Sequence, residues 1–147
     1  MSPQNHVVAS TITSCAFFFC THSGEGTAAC FLSGILIDID HHFDLWIYKK
    51  KFLLGLKDIY HFCEKEKGER LYLIFHSYEL IFLLWLSLFV FHLNLIWWGM
   101  AIGVSVHMIF DQILNPLRPG VYFLWYRIKN NFDKACIYPR EVYQQME

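Results

Sequence analysis

An uncharged run from Leu80 to Phe110 constrains this chain more than any other feature of its sequence. These 31 residues contain no Lys, Arg, Asp or Glu. A run of this length exceeds what a single membrane-crossing helix needs, and it suits two apolar helices joined by a tight turn. We therefore predict a membrane hairpin that enters along Leu71–Phe91, turns near His92–Asn94 and returns along Leu95–Leu114.

The rest of the chain favours the same class of protein. Its 147 residues fit a single domain, predicted over residues 1–147, and 55% hydrophobic residues against 17% charged ones is too apolar for an ordinary soluble domain. The uncharged segments His6–Thr21 and Thr27–Ile37 predict a shorter first hairpin. Residues 45–67 and Val121–Phe132 mix basic with aromatic residues, which favours amphipathic segments on the membrane surface. The predicted fold is all-α, an integral membrane bundle of about four apolar helices with interfacial segments.

The basic residues predict the orientation of this bundle. All twelve Lys and Arg residues fall in two blocks, Lys49–Arg70 and Arg118–Arg140. With four spans, both blocks lie on one side of the membrane, and the positive-inside rule makes that side the cytoplasm. We expect a multi-pass protein whose C-terminus faces the cytoplasm.

Ionisable residues cluster near the cytoplasmic ends of all four predicted spans. Gly99, Gly103, His107 and Asp111 recur every four residues and so form one stripe on the fourth span. The glycines would let a neighbouring helix approach closely, while His107 and Asp111 could hold one ion together, or Asp111 could orient the His107 ring. A divalent cation would supply the positive charge that a carboxylate needs in apolar surroundings.

These arguments predict a metal site that faces the cytoplasm. The residues themselves favour four ligands, Asp40, His41, His107 and Asp111, while His6, Asp38 and His76 lie near the same face of the membrane and have a structural interpretation as well. Nitrogen and oxygen donors without thiolate favour zinc, with Mn, Fe or Ni as options and Mg less so, in one or two ions. Hydrolysis by metal-activated water is the chemistry such residues support, and the chain has no GxSxG, Walker or GxGxxG motif. Glu79, three residues after His76, is the predicted general base, and Asp40 is the other predicted catalytic residue.

The same residues resemble the YdjM-like family of bacterial inner-membrane metal-dependent hydrolases. The similarity runs from His6 to Trp125 and rests on the order of its motifs. These are Asn5-His6-Val7-Val8, Gly34-Ile35-Leu36-Ile37-Asp38-Ile39-Asp40-His41, Phe75-His76-Ser77, and Gly103 to Asp111 continuing to Asn115-Pro116. The resemblance implies a bacterial inner-membrane enzyme with seven metal ligands, which are His6, Asp38, Asp40, His41, His76, His107 and Asp111. Two departures are Ile37 in place of the usual Pro, and Leu71–Ile74 where the family has His-Arg-Gly.

The order of His and Asp residues is also similar, more faintly, to zinc-dependent phospholipase C. That similarity implies a phosphoester substrate, such as a lipid headgroup, with membrane lipid as partner and no nucleic acid. Two alternatives stay open. A haem protein would use paired histidines on facing helices, and a non-enzymatic membrane adaptor or metal carrier would show no turnover. Each polar residue taken singly also has a structural interpretation, as a helix cap or a hydrogen bond between helices.

Overall fold

The computed structural model of this protein describes residues 3–49, 70–115 and 117–145, and every regular element in those ranges is a helix. In chain order these helices are α1 (Pro3–Thr21), α2 (Gly24–Leu36), α3 (Ile39–Lys49), α4 (Tyr78–Val90), α5 (Leu95–Leu114), α6 (Leu124–Lys129), α7 (Lys134–Ile137) and α8 (Arg140–Gln144). The all-α prediction is confirmed for the described residues.

The chain forms two compact units, each built from two separate stretches of sequence. The first unit comprises residues 1–37 and 78–115 and so contains α1, α2, α4 and α5. The second unit comprises residues 38–77 and 116–147 and contains α3 and the short helices α6 to α8. The single domain over residues 1–147 stays a prediction.

Polar residues cap the first turns of α2 and α5, at the short polar breaks between apolar segments. The Ser23 hydroxyl accepts a hydrogen bond from the Gly26 N–H at the start of α2, and the Asn94 side chain accepts one from the Ile96 N–H at the start of α5. Each cap satisfies a backbone donor that has no partner within its helix. His22 and His92, in left-handed conformation, turn the chain just before these caps. The predicted turns between apolar segments are confirmed.

Glycines bring α2 and α5 into backbone contact. A Cβ atom built on Gly99 would overlap the Gly26 carbonyl oxygen, and one built on Gly103 would overlap the Cys30 carbonyl oxygen. Ser33 Oγ then donates to the Met100 carbonyl at 3.1 Å across the same contact. The close approach predicted from the stripe on α5 is therefore confirmed, and α2 is the neighbouring helix that approaches.

The second hairpin differs from the prediction at its start. Helix α4 begins at Tyr78 rather than near Leu71, because residues 70–77 form a loop. Within that loop Leu73 has a positive φ of 44°, and the N–H groups of Tyr72 and Leu73 bind the Asp44 carboxylate instead of helix carbonyls. His76 therefore lies before α4, not inside it, and the helical spacing expected between His76 and Glu79 does not apply.

The second unit has its own small apolar core. Its fully buried members come from the 70–77 loop and from the C-terminal stretch, and they are Leu71, Leu73, Val121, Ile137 and Tyr138. The Leu71 N–H donates to the Phe132 carbonyl at 2.9 Å, which ties the loop to the turn after α6. Of the two predicted interfacial segments, Val121–Phe132 contains the six-residue α6. Residues 50–67 of the other, predicted over 45–67, lie outside the described part of the chain.

Large apolar side chains cover much of the outer surface of the first unit. Phe19 on α1 is 76% exposed, and Ile113 on α5 is 70% exposed. Other apolar residues on α4, including Phe82 and Phe89, are also largely exposed. Within the described ranges, none of the helices has both the length and the hydropathy that a membrane crossing requires.

Candidate metal centre

Three predicted ligands of the first unit lie close together, although His6 is near the start of α1 and His107 and Asp111 are near the end of α5. The His6 Nε2 atom lies 3.3 Å from Asp111 Oδ1, and the His107 Nε2 atom lies 3.3 Å from Asp111 Oδ2. One ligand atom from each residue lies within 4.8 Å of those from the other two. None of the three residues is more than 5% exposed. We call His6, His107 and Asp111 the first group.

The proton of the His107 ring is positioned by helix α2. His107 Nδ1 lies 2.8 Å from the Gly34 carbonyl oxygen, which can only accept a hydrogen bond, so Nδ1 carries the donated proton. In the neutral ring, Nε2 then holds a lone pair that faces the Asp111 carboxylate. The His6 and His107 rings stack at 3.9 Å with an interplanar angle of 13°. The first group therefore presents imidazole and carboxylate donors at close range.

Three further predicted ligands meet in the second unit. Asp38 Oδ1 lies 3.4 Å from His76 Nε2 and 3.7 Å from His41 Nε2, and one ligand atom from each residue lies within 4.8 Å of the others. The His76 side chain is 1% exposed, whereas those of Asp38 and His41 are 33% and 23% exposed. We call Asp38, His41 and His76 the second group. Unlike the first group, it has an edge that solvent reaches.

Asp40 lies behind His76 rather than among these converging atoms. Its carboxylate is 3.0 Å from His76 Nδ1 and also accepts the Phe75 N–H at 3.0 Å. Burial acts to raise the pKa of Asp40, but the His76 charge and hydrogen bond, with His41 and the Phe75 N–H, outweigh it and lower that pKa. Asp40 is therefore an acceptor that fixes the His76 ring with Nε2 towards Asp38.

Two buried charged residues hold the loop that carries His76. Asp44 Oδ2 accepts the N–H groups of Tyr72 and Leu73 at 2.9 and 3.1 Å. Arg127 donates through Nη1 to the carbonyls of Tyr72 and Leu73, and through Nη2 to the His76 carbonyl at 2.9 Å. The sequence prediction gave neither residue a role. One sequence feature could have indicated a role for Asp44. It lies four residues after Asp40, and this spacing puts both carboxylates on one face of α3.

Burial raises the pKa of Asp44 to about 7. The Leu73 N–H opposes this shift, the negative charge of Asp40 adds to it, and the Tyr72 N–H and Arg127 oppose it. Asp44 therefore titrates near neutral pH, far above an ordinary aspartate.

The remaining predicted site residue, Glu79, lies in the first turn of α4 and is half-buried. Among the described residues it belongs to neither group of converging ligand atoms. Six of the seven predicted ligands thus fall in the two groups, and Asp40 contacts a member of the second. The catalytic roles of Glu79 and Asp40, and ligation by all seven residues, stay predictions.

Comparison of the chain with protein-family models, with curated proteins and with solved structures finds no match. The resemblance to the YdjM-like family therefore stays a prediction from the motifs, and the site is defined by its geometry. The described chain contains two groups of His and Asp residues that could hold a metal ion.

Proposed function

We propose that this protein is a membrane-bound, metal-dependent hydrolase that cleaves a phosphoester, as the resemblance to the YdjM-like family implies. Each of the two groups would hold its own metal ion. Asp40 would orient His76, and Glu79 stays the proposed general base.

One observation carries the metal-binding part of this proposal. In each group, an acceptor on the far side of a buried histidine accepts a hydrogen bond from the Nδ1–H: the Gly34 carbonyl for His107 and the Asp40 carboxylate for His76. The Nε2 lone pair of the neutral ring then faces a carboxylate oxygen at 3.3 or 3.4 Å. In the neutral ring these two electron-rich atoms repel each other, so the contact needs either a second proton on the imidazole or a cation close to both atoms. A divalent metal meets this requirement in both groups.

The donor set favours particular metals and a particular chemistry. Imidazole and carboxylate ligands suit zinc, manganese and iron, and zinc is the ion we propose first. When bound, such an ion lowers the pKa of a coordinated water and stabilises negative charge on a phosphoryl oxygen. The chain contributes ligands whose protons and orientations are set in advance by Gly34 and Asp40. Preorganised ligands reduce the free energy needed to assemble the site.

The position of the substrate is suggested by exposure. Asp38 and His41 form the open edge of the second group, while His76 behind them is buried. A phosphoester could approach an ion from this edge, since catalytic metal sites keep one position open for substrate.

Membrane association is supported by the apolar surface of the first unit. Side chains such as Phe19, Phe82 and Ile113 are more than half exposed on the helices of this unit. Large exposed apolar patches mark sites that contact lipid or other proteins. We propose lipid as the partner and the bacterial inner membrane as the location, with the site and the C-terminus facing the cytoplasm, because the basic residues follow the positive-inside pattern.

Elemental analysis tests this proposal directly. We expect the full-length protein, purified in detergent from the membrane fraction, to contain at least one zinc, manganese or iron per chain. The metal-loaded protein should hydrolyse bis(p-nitrophenyl) phosphate, and EDTA should abolish the activity. Absence of stoichiometric metal would refute the proposal, and bound metal without hydrolysis of phosphoesters, including phospholipid vesicles, would favour the metal-carrier alternative.

The haem alternative is disfavoured by the first group. The His6 and His107 rings stack face to face at 3.9 Å, so a porphyrin has no room between them. A Soret band in the purified protein would contradict this conclusion.

A further inference from the structure

The 70–77 loop owes its shape to side chains that come from outside it. Asp44 on α3 accepts two of its N–H groups, and Arg127 on α6 donates to three of its carbonyls. Both charged residues are at most 3% exposed. A loop with few backbone hydrogen bonds of its own needs such partners, because buried backbone groups left unbonded are costly.

The strained residue of the loop lies between these two partners. Leu73 has φ of 44°, a left-handed conformation that a branched side chain seldom adopts. Its N–H binds Asp44 and its carbonyl binds Arg127, so both polar atoms of this residue are held. Such a conformation persists where the surroundings fix it, and it clusters near functional sites. Three residues later the same loop presents His76.

We propose that Asp44 and Arg127 are positioning residues, which hold the 70–77 loop in the shape that presents His76 Nε2 to Asp38 and its metal. This inference rests on the proposed metal site, and it adds two residues that touch neither ion nor substrate. Arg127 binds the His76 carbonyl directly, so its guanidinium fixes the backbone of the ligand itself. The planar fork of Arg suits several carbonyls at once, which an ammonium group cannot match.

The test uses the full-length protein in detergent, with metal removed by EDTA and the chelator then dialysed away. The variants are Arg127→Gln, and Asp44→Ala, which leaves no side-chain acceptor for the Tyr72 and Leu73 N–H groups. Their matched controls in the same unit are Arg118→Gln and Asp133→Ala. The Arg118 side chain donates to the Tyr138 carbonyl, and the Asp133 side chain caps α7. Each control removes a charge and a backbone hydrogen bond without contacting the 70–77 loop through that bond.

Two readouts separate positioning from general stability. The first is the pair of ring ¹⁵N shifts of His76 in the metal-free protein, assigned with His76→Ala, which report its tautomer. The second is Co²⁺ affinity, followed by visible absorption of the bound ion. We expect both variants to shift the His76 ring signals and to weaken Co²⁺ binding roughly 10- to 100-fold, as for residues that orient a metal ligand. The controls should stay within about twofold of wild type, because they leave the ligand's supports intact.

The outcomes distinguish this inference from the proposed function. If wild type binds neither Co²⁺ nor Zn²⁺, the proposed function fails, and the ¹⁵N shifts alone decide whether Arg127 and Asp44 position His76. The inference would be overturned if both variants kept the wild-type ¹⁵N shifts and Co²⁺ affinity. It would also be overturned if the controls lost as much Co²⁺ affinity as the variants. Should Arg127→Gln fail to fold, Arg127→Lys replaces it, with a several-fold loss of affinity expected, and wild-type affinity there would overturn the inference as well.

Discussion

The first and second groups use the same kinds of ligand but are supported in different ways. His107 and Asp111 stand on a long helix whose glycines contact α2, and backbone packing sets their position. His76 stands on a loop without regular structure, and hydrogen bonds with the buried side chains of Asp44 and Arg127 set its position. An imidazole can therefore be oriented either by close helix packing at small residues or by hydrogen bonds with buried polar side chains. The two supports should fail under different perturbations.

Removing a ligand from either group should have the largest effect. We expect His107→Ala and His76→Ala each to lower metal affinity by more than the roughly 10- to 100-fold seen for orienting residues, and to abolish hydrolysis. The measurement is metal content per chain after dialysis against a metal buffer, with His22→Ala as a control at a helix turn. If His107→Ala kept the metal content of the wild type, the first group would not be a metal site, and the comparison of the two groups would fail.

A change of pH should affect the support of the second group. The pKa of Asp44 is raised from 3.8 to about 7, so between these values the folded protein binds more protons than the unfolded chain. The stabilisation from Asp44 is therefore present below pH 4 and is lost as the pH rises through 7, by up to about 4 kcal/mol. Chemical unfolding in EDTA should show this decline in wild type, and the decline should be absent in Asp44→Asn. A pH-independent difference between the two proteins would contradict it.

A methyl group in the glycine contact should affect the support of the first group. In Gly103→Ala the new Cβ would overlap the Cys30 carbonyl, so α2 and α5 must separate, and we expect a loss of about 1–3 kcal/mol in the free energy of unfolding. The control is Gly24→Ala, where nothing lies within 4 Å of the added Cβ. Equal stability of both variants in thermal unfolding would mean that the close contact does not support His107.

The smallest expected effect concerns α4, which joins α5 through side chains instead of backbone. Trp85 Nε1 donates to Ser105 Oγ at 3.0 Å, and its ring meets Trp98 edge-on. Trp85→Phe removes this hydrogen bond and should cost about 1 kcal/mol. Unfolding of Trp97→Phe, an exposed position, provides the reference. A loss larger than that of Gly103→Ala would reverse the order of the two kinds of support.

Most of the first unit was predictable, because helical spacing and apolar runs act locally. The stripe of Gly99, Gly103, His107 and Asp111 follows from a period of four residues and needs no knowledge of the partner helix. The sequence placed His6 and His107 near the same end of the predicted spans, which was enough to predict that they lie close together. The Gly34 carbonyl was not predictable as the His107 partner, since every helix residue offers a carbonyl.

The second unit was less predictable, because its determinants are far apart in sequence. The apolar run from Leu71 predicts a helix, but its backbone groups form hydrogen bonds with Asp44 and Arg127. These side chains lie 28 and 55 residues from Tyr72 in the sequence. Tertiary hydrogen bonds thus override local propensity in this loop. Asp40 was predicted as a site residue, but its contact with His76 Nδ1 depends on the shape of the 70–77 loop, which the sequence did not reveal.

The hydrogen bond from His107 to Gly34 couples the fit of two helices to the protonation of a ring. A slip of α2 along α5 by one residue, 1.5 Å, would take the carbonyl away from Nδ1 and free the proton to move to Nε2. The glycine contact resists such a slip. Mechanical alignment in this protein thus decides which nitrogen is available for chemistry.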